Sequence, residues 1–222
     1  MSATDTTTQE RPIGRRGPYA ELFFALMRSG TFLTGFAIVL FWVICALFGE
    51  HFTPYDPLAD DIINALSPPS AEHWFGTDQL GRDVFSRVIV GSRDILTVAP
   101  LATLLATVAG TALGLFTGYF RGIADDIVSR VLEAFMAIPV VIVALLAIVA
   151  LGTSKATVIV VIGLSFAPII ARTVRSAVLA ERELDYVAAA QLRHESAFHT
   201  MFVEILPNVI PPILVETTVR LG

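Results

Sequence analysis

His194, Glu195 and His199 are the residues here that come nearest to reactive chemistry, because two histidines around a glutamate are the raw material of a zinc helix. The H-E-x-x-H arrangement sets its histidines four apart, so that both imidazoles face one ion while the glutamate acts as base. Here the spacing is five, which turns the second ring off that face, and no third ligand stands at a matching interval. No metal is expected. The sequence also has no Gly-x-Ser-x-Gly elbow and no nucleophile set beside a base, so covalent catalysis has no carrier. The single lysine, Lys155, follows Ser154, and the Gly-Lys-Ser/Thr end of a phosphate-binding loop is missing. If ATP drives the process, another subunit must hydrolyse it. His51 and His73 are expected at a surface or interface.

What remains are charges at helical spacing. Asp83 and Arg87 are four apart and suited to pairing, and Asp126, Arg130 and Glu133 lie at helical spacings at the start of a later apolar run. For Asp78, Arg82 and Asp83 a structural hydrogen-bond cluster is expected ahead of contact with a substrate.

The elements that position these residues are membrane helices. The chain has 222 residues, 55% of them hydrophobic, and a mean hydropathy of +0.71. Soluble chains are about 45–50% apolar even with glycine counted. The net charge of −5 is spread over loops and no basic run occurs, which argues against a nucleic-acid partner. Cys45 is alone, in an apolar run, and is expected to be a packing residue.

Residues 1–30 form a cytoplasmic tail and surface helix, the tail proper over 1–16 and the helix over 18–28. Residues 31–49 are a first span, rising about 28 Å against a hydrocarbon core of roughly 30 Å. Residues 50–94 make an extracytoplasmic loop with an interfacial helix, capped by Thr77 or Asp78 and presenting Val84, Phe85, Val88 and Ile89 on one face. Residues 95–222 form the core. Its spans are 95–119, 127–151 (bent or loosened near Pro139) and 157–178 (kinked at Pro168), and a fifth starts at Val209 and stops short of membrane thickness. Ala102, Ala106, Gly110, Gly114 and Gly118 recur every four residues, a small-residue stripe for close helix packing. Arginines 11, 15, 16, 28, 121, 130, 172, 175, 182 and 193 fall on the N-terminal side of the membrane. Arg82, Arg87, Arg93 and Lys155 fall on the other, which places the N-terminus in the cytoplasm.

Between the fourth and fifth spans, residues 180–208 form a polar island. Asp185 can cap a first short helix and Ser196 a second, with His194 and Glu195 at the bend. Pro207 suits the first turn of the helix that follows.

Tyr186-Val187-x-Ala189-Ala190, a turn, and then Leu206-Pro207-Asn208 at this separation resemble the EAA loop of ABC-importer permeases. Ala188 stands where that motif has glutamate, and His194 where it has its turn glycine. A second string, Gly76-Thr77-Asp78-x-x-Gly81-Arg82-Asp83-x-x-Ser86-Arg87, is similar to the N-terminal region of the dipeptide, oligopeptide and nickel permeases of the DppC/OppC type. The resemblance implies an all-α integral membrane protein with the type I ABC-importer fold, four full spans and a truncated fifth. It implies a permease subunit of the plasma (inner) membrane that imports by alternating access, peptides leading and nickel or another small solute as alternatives. It implies as partners a second homologous permease, two ATPase subunits carrying ATP and magnesium, an extracytoplasmic binding protein, and membrane lipid. Asp185, Tyr186, Val187, Ala188, Ala189, Ala190, His194, Glu195 and Ser196 are implied to contact the ATPase, with Leu206 and Pro207 carrying its motion. Substrate-contacting residues are not identified. A secondary transporter, which would place ionisable groups at mid-membrane depth, and a non-transporting scaffold are the competing readings.

Overall fold

The computed structural model describes residues 26–221. The tail expected over 1–16 lies outside them, as does most of the surface helix expected over 18–28, of which residues 26–28 are helical. The elements are α1 (Gly30–Phe52), a 3-10 turn (Ile62–Asn64), α2 (Val84–Phe120), α3 (Ile123–Met136), α4 (Val140–Leu151), α5 (Lys155–Glu181), α6 (Asp185–Leu192) and α7 (Ala197–Leu221). No strand occurs among the described residues, where Thr77 and Asp83 form an isolated bridge. Four helices, α1, α2, α5 and α7, are long and apolar enough to cross a membrane. The chain divides into two compact units between Ser92 and Arg93.

In the first unit Ser29 caps α1 by accepting from Phe32 N. α1 is apolar on all sides and mostly exposed, as expected of a helix whose solvent is lipid, and Cys45 is buried. A Cβ on Gly49 would lie 2.9 Å from Ile89 Cγ2, so this glycine lets α1 approach the start of α2. α2 differs from expectation. The interfacial helix and the second span form one continuous helix of 37 residues, with no break at Gly91 or Ser92. Ser92 Oγ donates to Ile89 O at 2.6 Å, keeping its hydroxyl satisfied inside the helix. Of the face expected from Val84, Phe85, Val88 and Ile89, only Ile89 is buried; Val88 is exposed and Ser86 takes the inward position.

In the second unit the glycine stripe sets the architecture. A Cβ on Gly110 would lie 2.7 Å from Ile170 Cβ, one on Gly114 2.6 Å from Val174 Cβ, and one on Gly118 2.8 Å from Val178 Cβ. Contacts that advance together along both chains mean that α2 and α5 run parallel. Lys155 pairs with Asp94 at one end of this crossing, and Arg175 pairs with Asp125 near the other. The chain leaving α2 must therefore return the full length of the bundle before α5 begins. The bent pair α3–α4 makes that return. It is broken by 85° around residues 137–139, where a single span bent or loosened near Pro139 was expected. Pro139 ends the ladder because it has no N–H and biases Ile138 away from helix.

α7 packs antiparallel to α5, and the buried core joins Leu115, Ile170, Val174, Val178, Val187, Ile205, Val209 and Ile213. Thr107 and Thr217 hydroxyls meet across α2 and α7 at 3.0 Å. The last helix starts earlier than expected: it is helical from Ala197, with a π-helical stretch at Thr200–Ile205 and a regular α-helix over Leu206–Leu221. Counted from Ala197 it has 25 residues, enough to span.

Candidate functional site

The helix–turn–helix expected over 180–208 is present as the end of α5, then α6, then the start of α7. Its first cap differs from expectation. Leu184 holds the extended N-cap conformation, with its carbonyl accepting from Val187 N at 3.0 Å and Ala188 N at 3.3 Å. Asp185 is the first helical residue, where its charge complements the helix dipole. The second cap is as expected, with Ser196 Oγ accepting from His199 N at 3.2 Å.

His194 adopts φ +56°, the left-handed conformation required at the resembling loop's glycine position. Its N–H donates to Gln191 O at 3.0 Å, and Glu195 N donates to Ala190 O at 3.2 Å. These are the paired bonds of a Schellman ending, which satisfies the last carbonyls of α6 and reverses the chain.

α6 has two distinct faces. Val187 and Ala190 are fully buried in the bundle core. Asp185, Ala188, Gln191 and His194 are exposed, Ala189 is half-buried, and Leu192 is 81% exposed. Phe198, stacked on Phe202 at the start of α7, is exposed beside them. Tyr186 ties the elbow together: its hydroxyl donates to Glu181 Oε2 at 2.7 Å at the end of α5 and accepts from Asn208 Nδ2 at 3.2 Å in α7. Burial, then the bond to Glu181, pushes its phenol above the ordinary range, so it remains a donor. Glu181 as the anchor of Tyr186 was not evident from sequence; its five-residue spacing only closes because the chain turns between α5 and α6.

Pro207 sits in the first turn of the regular part of α7, as expected, and Leu206 is half-buried against the core. The π-helical stretch ends two residues before Pro207, and Leu206 N donates to Met201 O, five residues back. A wider turn accommodates a proline that lacks an N–H and crowds the carbonyl four back.

The fold also collects Glu195, His199 and Glu204, whose ligand atoms lie within 4.8 Å of one another. Arg193 already binds both carboxylates, Nε to Glu195 Oε1 at 2.7 Å and Nη2 to Glu204 Oε1 at 3.2 Å. An ion would have to displace that guanidinium, and His194, whose backbone makes the turn, is not in the cluster.

The outer-loop string forms the hydrogen-bond cluster expected of it, with different pairings. Asp83 does not pair with Arg87. Its Oδ2 caps α2 by accepting from Ser86 N at 2.8 Å, and its Oδ1 accepts from His73 Nδ1 at 3.0 Å. Asp83 is thus the cap expected of Thr77 or Asp78. Burial pushes its carboxyl up, but Ser86 and His73 outweigh that and hold it below the usual range. Asp78 closes a turn by accepting from Leu80 N and Arg82 N at 2.8 and 3.0 Å, and it pairs with Arg87. Partial burial pushes it up, and those N–H groups with Arg87 and Arg82 bring it below its ordinary value. Arg82 pairs with Asp60. Thr77 Oγ1 bonds Asn64 O and accepts from Ser67 N at 2.9 Å. Gly76 and Gly81 have φ of +72° and +76°, and a Cβ on Gly81 would fall 1.6 Å from Asp61 O. Only glycine fits there.

The pairing expected among Asp126, Arg130 and Glu133 is absent among the described residues. The neighbouring Asp125 takes that role across helices: Arg175 Nε and Nη2 donate to its two oxygens at 2.7 and 2.6 Å, and Ser129 Oγ donates at 3.1 Å. The partner lies 50 residues on, beyond the reach of local spacing.

Residues 110–222 match the family of binding-protein-dependent transport system inner membrane components, and residues 17–69 match the N-terminal membrane domain of oligopeptide transport permease C. The chain is 32% identical over 223 residues to the probable D,D-dipeptide transport system permease protein DdpC of Escherichia coli, covering all of this chain and 75% of that protein. It is 34% identical over 205 residues to the dipeptide transport system permease protein DppC of Alkalihalophilus pseudofirmus, covering 92% and 67%. It is 32% identical over 213 residues to the glutathione transport system permease protein GsiD of Shigella dysenteriae, covering 96% and 70%. These matches and the helical architecture agree: the chain belongs to the inner-membrane permease components of binding-protein-dependent transport systems, with the type I ABC-importer membrane fold.

Proposed function

We propose that this chain is one permease of an ATP-driven peptide importer and that the α5–α6–α7 elbow is where an ATPase subunit grips it. A second, homologous permease completes the path, two ATPase subunits bind ATP and magnesium, and an extracytoplasmic binding protein delivers peptide. The N-terminus and the elbow lie in the cytoplasm, consistent with the arginine distribution. The observation that carries this reading is the two-faced α6. Its inner face, Val187 and Ala190, is locked into the core shared by α2, α5 and α7, while its outer face carries Ala188 and Leu192. A push on the outer face reaches the membrane helices through packed side chains, through Tyr186 and through the continuous helix past Pro207. Closure of the ATPase pair on ATP moves the elbow and favours the outward-open arrangement; hydrolysis and release reset it. Relatives bearing dipeptide and D,D-dipeptide names support the peptide assignment.

The test places aspartate on the outer face of the assembled transporter, Ala188→Asp and Leu192→Asp. Peptide-stimulated ATP hydrolysis and binding-protein-dependent dipeptide uptake into proteoliposomes are expected to be lost while the complex stays folded. Survival of both activities in both variants overturns the docking assignment.

A further inference from the structure

Near the C-terminal end of α5 a cavity of about 330 Å³ opens between α2, α3 and α5. That volume is at the lower end of small-molecule sites, roughly 300–1,000 Å³. It extends from Arg175 to Pro168 along α5, about 10 Å at the helical rise. Part of its wall is neutral, with Thr117, Leu132, Met136 and Ala171, and the charged part is Asp126, Arg130 and Glu133 from α3 with Arg172 and Arg175 from α5.

These charges are not equivalent. Arg175 is committed to Asp125 by a bidentate pair. Arg130, Glu133 and Arg172 have neither hydrogen bond nor ion pair among the described residues, and Asp126 makes no ion-pair contact. Two uncommitted cations, Arg130 and Arg172, and one uncommitted anion, Glu133, thus line one concave space, with Asp126 drawn to Arg175. An anion alone would meet Glu133 and Asp126, and a cation alone would meet the arginines. A zwitterion has a place for both ends. Arg130 from α3 and Arg172 from α5 line the same cavity, and a guanidinium offers a carboxylate paired N–H donors. Glu133, three residues and about 4.5 Å further along α3, is the acceptor for an ammonium group.

We propose that this cavity is a binding site for the zwitterionic termini of a short peptide, on the side of the bundle where substrate is released. The inference rests on the peptide reading above and adds the residues: Arg130 and Arg172 for the carboxylate, Glu133 for the amine.

The test uses the assembled transporter in nanodiscs without its binding protein, titrated calorimetrically with dialanine, N-acetyl-dialanine, dialanine amide and free alanine. Dialanine is expected to bind, and each blocked analogue to bind about tenfold more weakly or worse, the loss of one charge-assisted contact. The discrimination should then weaken charge by charge. Glu133→Gln should no longer distinguish the acetylated peptide, and Arg172→Gln should distinguish the amide less. Both substituted residues are exposed, and the blocked ligands probe the parent protein without any substitution. Absence of dialanine binding, binding indifferent to blocked termini, or unchanged discrimination in both variants overturns the site. Free alanine binding as tightly as dialanine overturns the peptide assignment of the site. Uptake of dialanine measured on the same preparation separates the two readings: uptake with an indifferent cavity overturns this inference alone. Terminus-sensitive binding without any peptide uptake supports the cavity and overturns the peptide-importer reading.

Discussion

Replacing His194 tests the elbow's geometry with a sign that side-chain chemistry alone would not give. His194 has φ +56° at the α6 ending, and its exposed imidazole takes no hydrogen bond from any described residue. An L-residue in the left-handed region is disfavoured by about 1–2 kcal/mol. Glycine removes that penalty but adds unfolded-chain freedom of roughly 0.5–1 kcal/mol. His194→Gly should therefore leave the turn unchanged or firmer by about 1 kcal/mol, although it deletes a whole side chain. His194→Val, β-branched and poorly tolerated at this φ, should loosen it by about 1 kcal/mol or more. The readout is hydrogen exchange of the two amides that close the motif, His194 N on Gln191 O and Glu195 N on Ala190 O. A change of about 1 kcal/mol alters their protection roughly fivefold. Faster exchange in the glycine variant, or full protection in the valine variant, would refute the left-handed turn and with it the account of how α6 hands over to α7.

Three further outcomes follow from the same geometry. Gly81→Ala places a Cβ 1.6 Å from Asp61 O at positive φ, and should destabilise the outer loop by roughly 3 kcal/mol or more, seen as early protease nicking within residues 53–83. Gly114→Ala puts a methyl 2.6 Å from Val174 Cβ; overpacking of about 1–3 kcal/mol should lower the melting temperature, whereas Gly35→Ala, with open space around it, should not. Asp83 and Asp78 have carboxyls held below their ordinary values, so their contribution to loop stability is complete above about pH 4 and is lost as pH falls through the lowered values. Trp74 fluorescence in a Trp42→Phe background should stay flat from neutrality to about pH 4 and change only below, and Asp83→Asn should remove much of that acid transition.

The division between what was legible in the sequence and what was not follows the range of each interaction. The stripe at Gly110, Gly114 and Gly118 announced a close helix contact because one-turn spacing fixes the face. Its partners Ile170, Val174 and Val178, and the parallel direction, depend on the whole path of α3 and α4 and left no local mark. Ser196 was recognisable as a cap because a cap is a three-residue interaction. Asp185 has the same chemistry, but Val187 and Ala190 must turn inward, and that sets the start of α6 one residue earlier at Leu184. Asp83 and Arg87 had ideal spacing for a pair, yet the turn at Gly81 brings Asp78 to Arg87 and leaves Asp83 to cap α2 and hold His73. Pro139 was visible as a disruption; the 85° angle was not, because it depends on how α3 and α4 pack against α5, beyond the reach of local spacing.

The most direct test of the coupling account is site-specific cross-linking in the assembled, nucleotide-free transporter, with single cysteines at Ala188, Leu192 and Phe198 in a Cys45→Ser background. The account predicts cross-links to an ATPase subunit from these outward positions, which weaken or shift when ATP closes the ATPase pair. Cysteines that remain free to react with a membrane-impermeant thiol reagent while the ATPase is bound would contradict it.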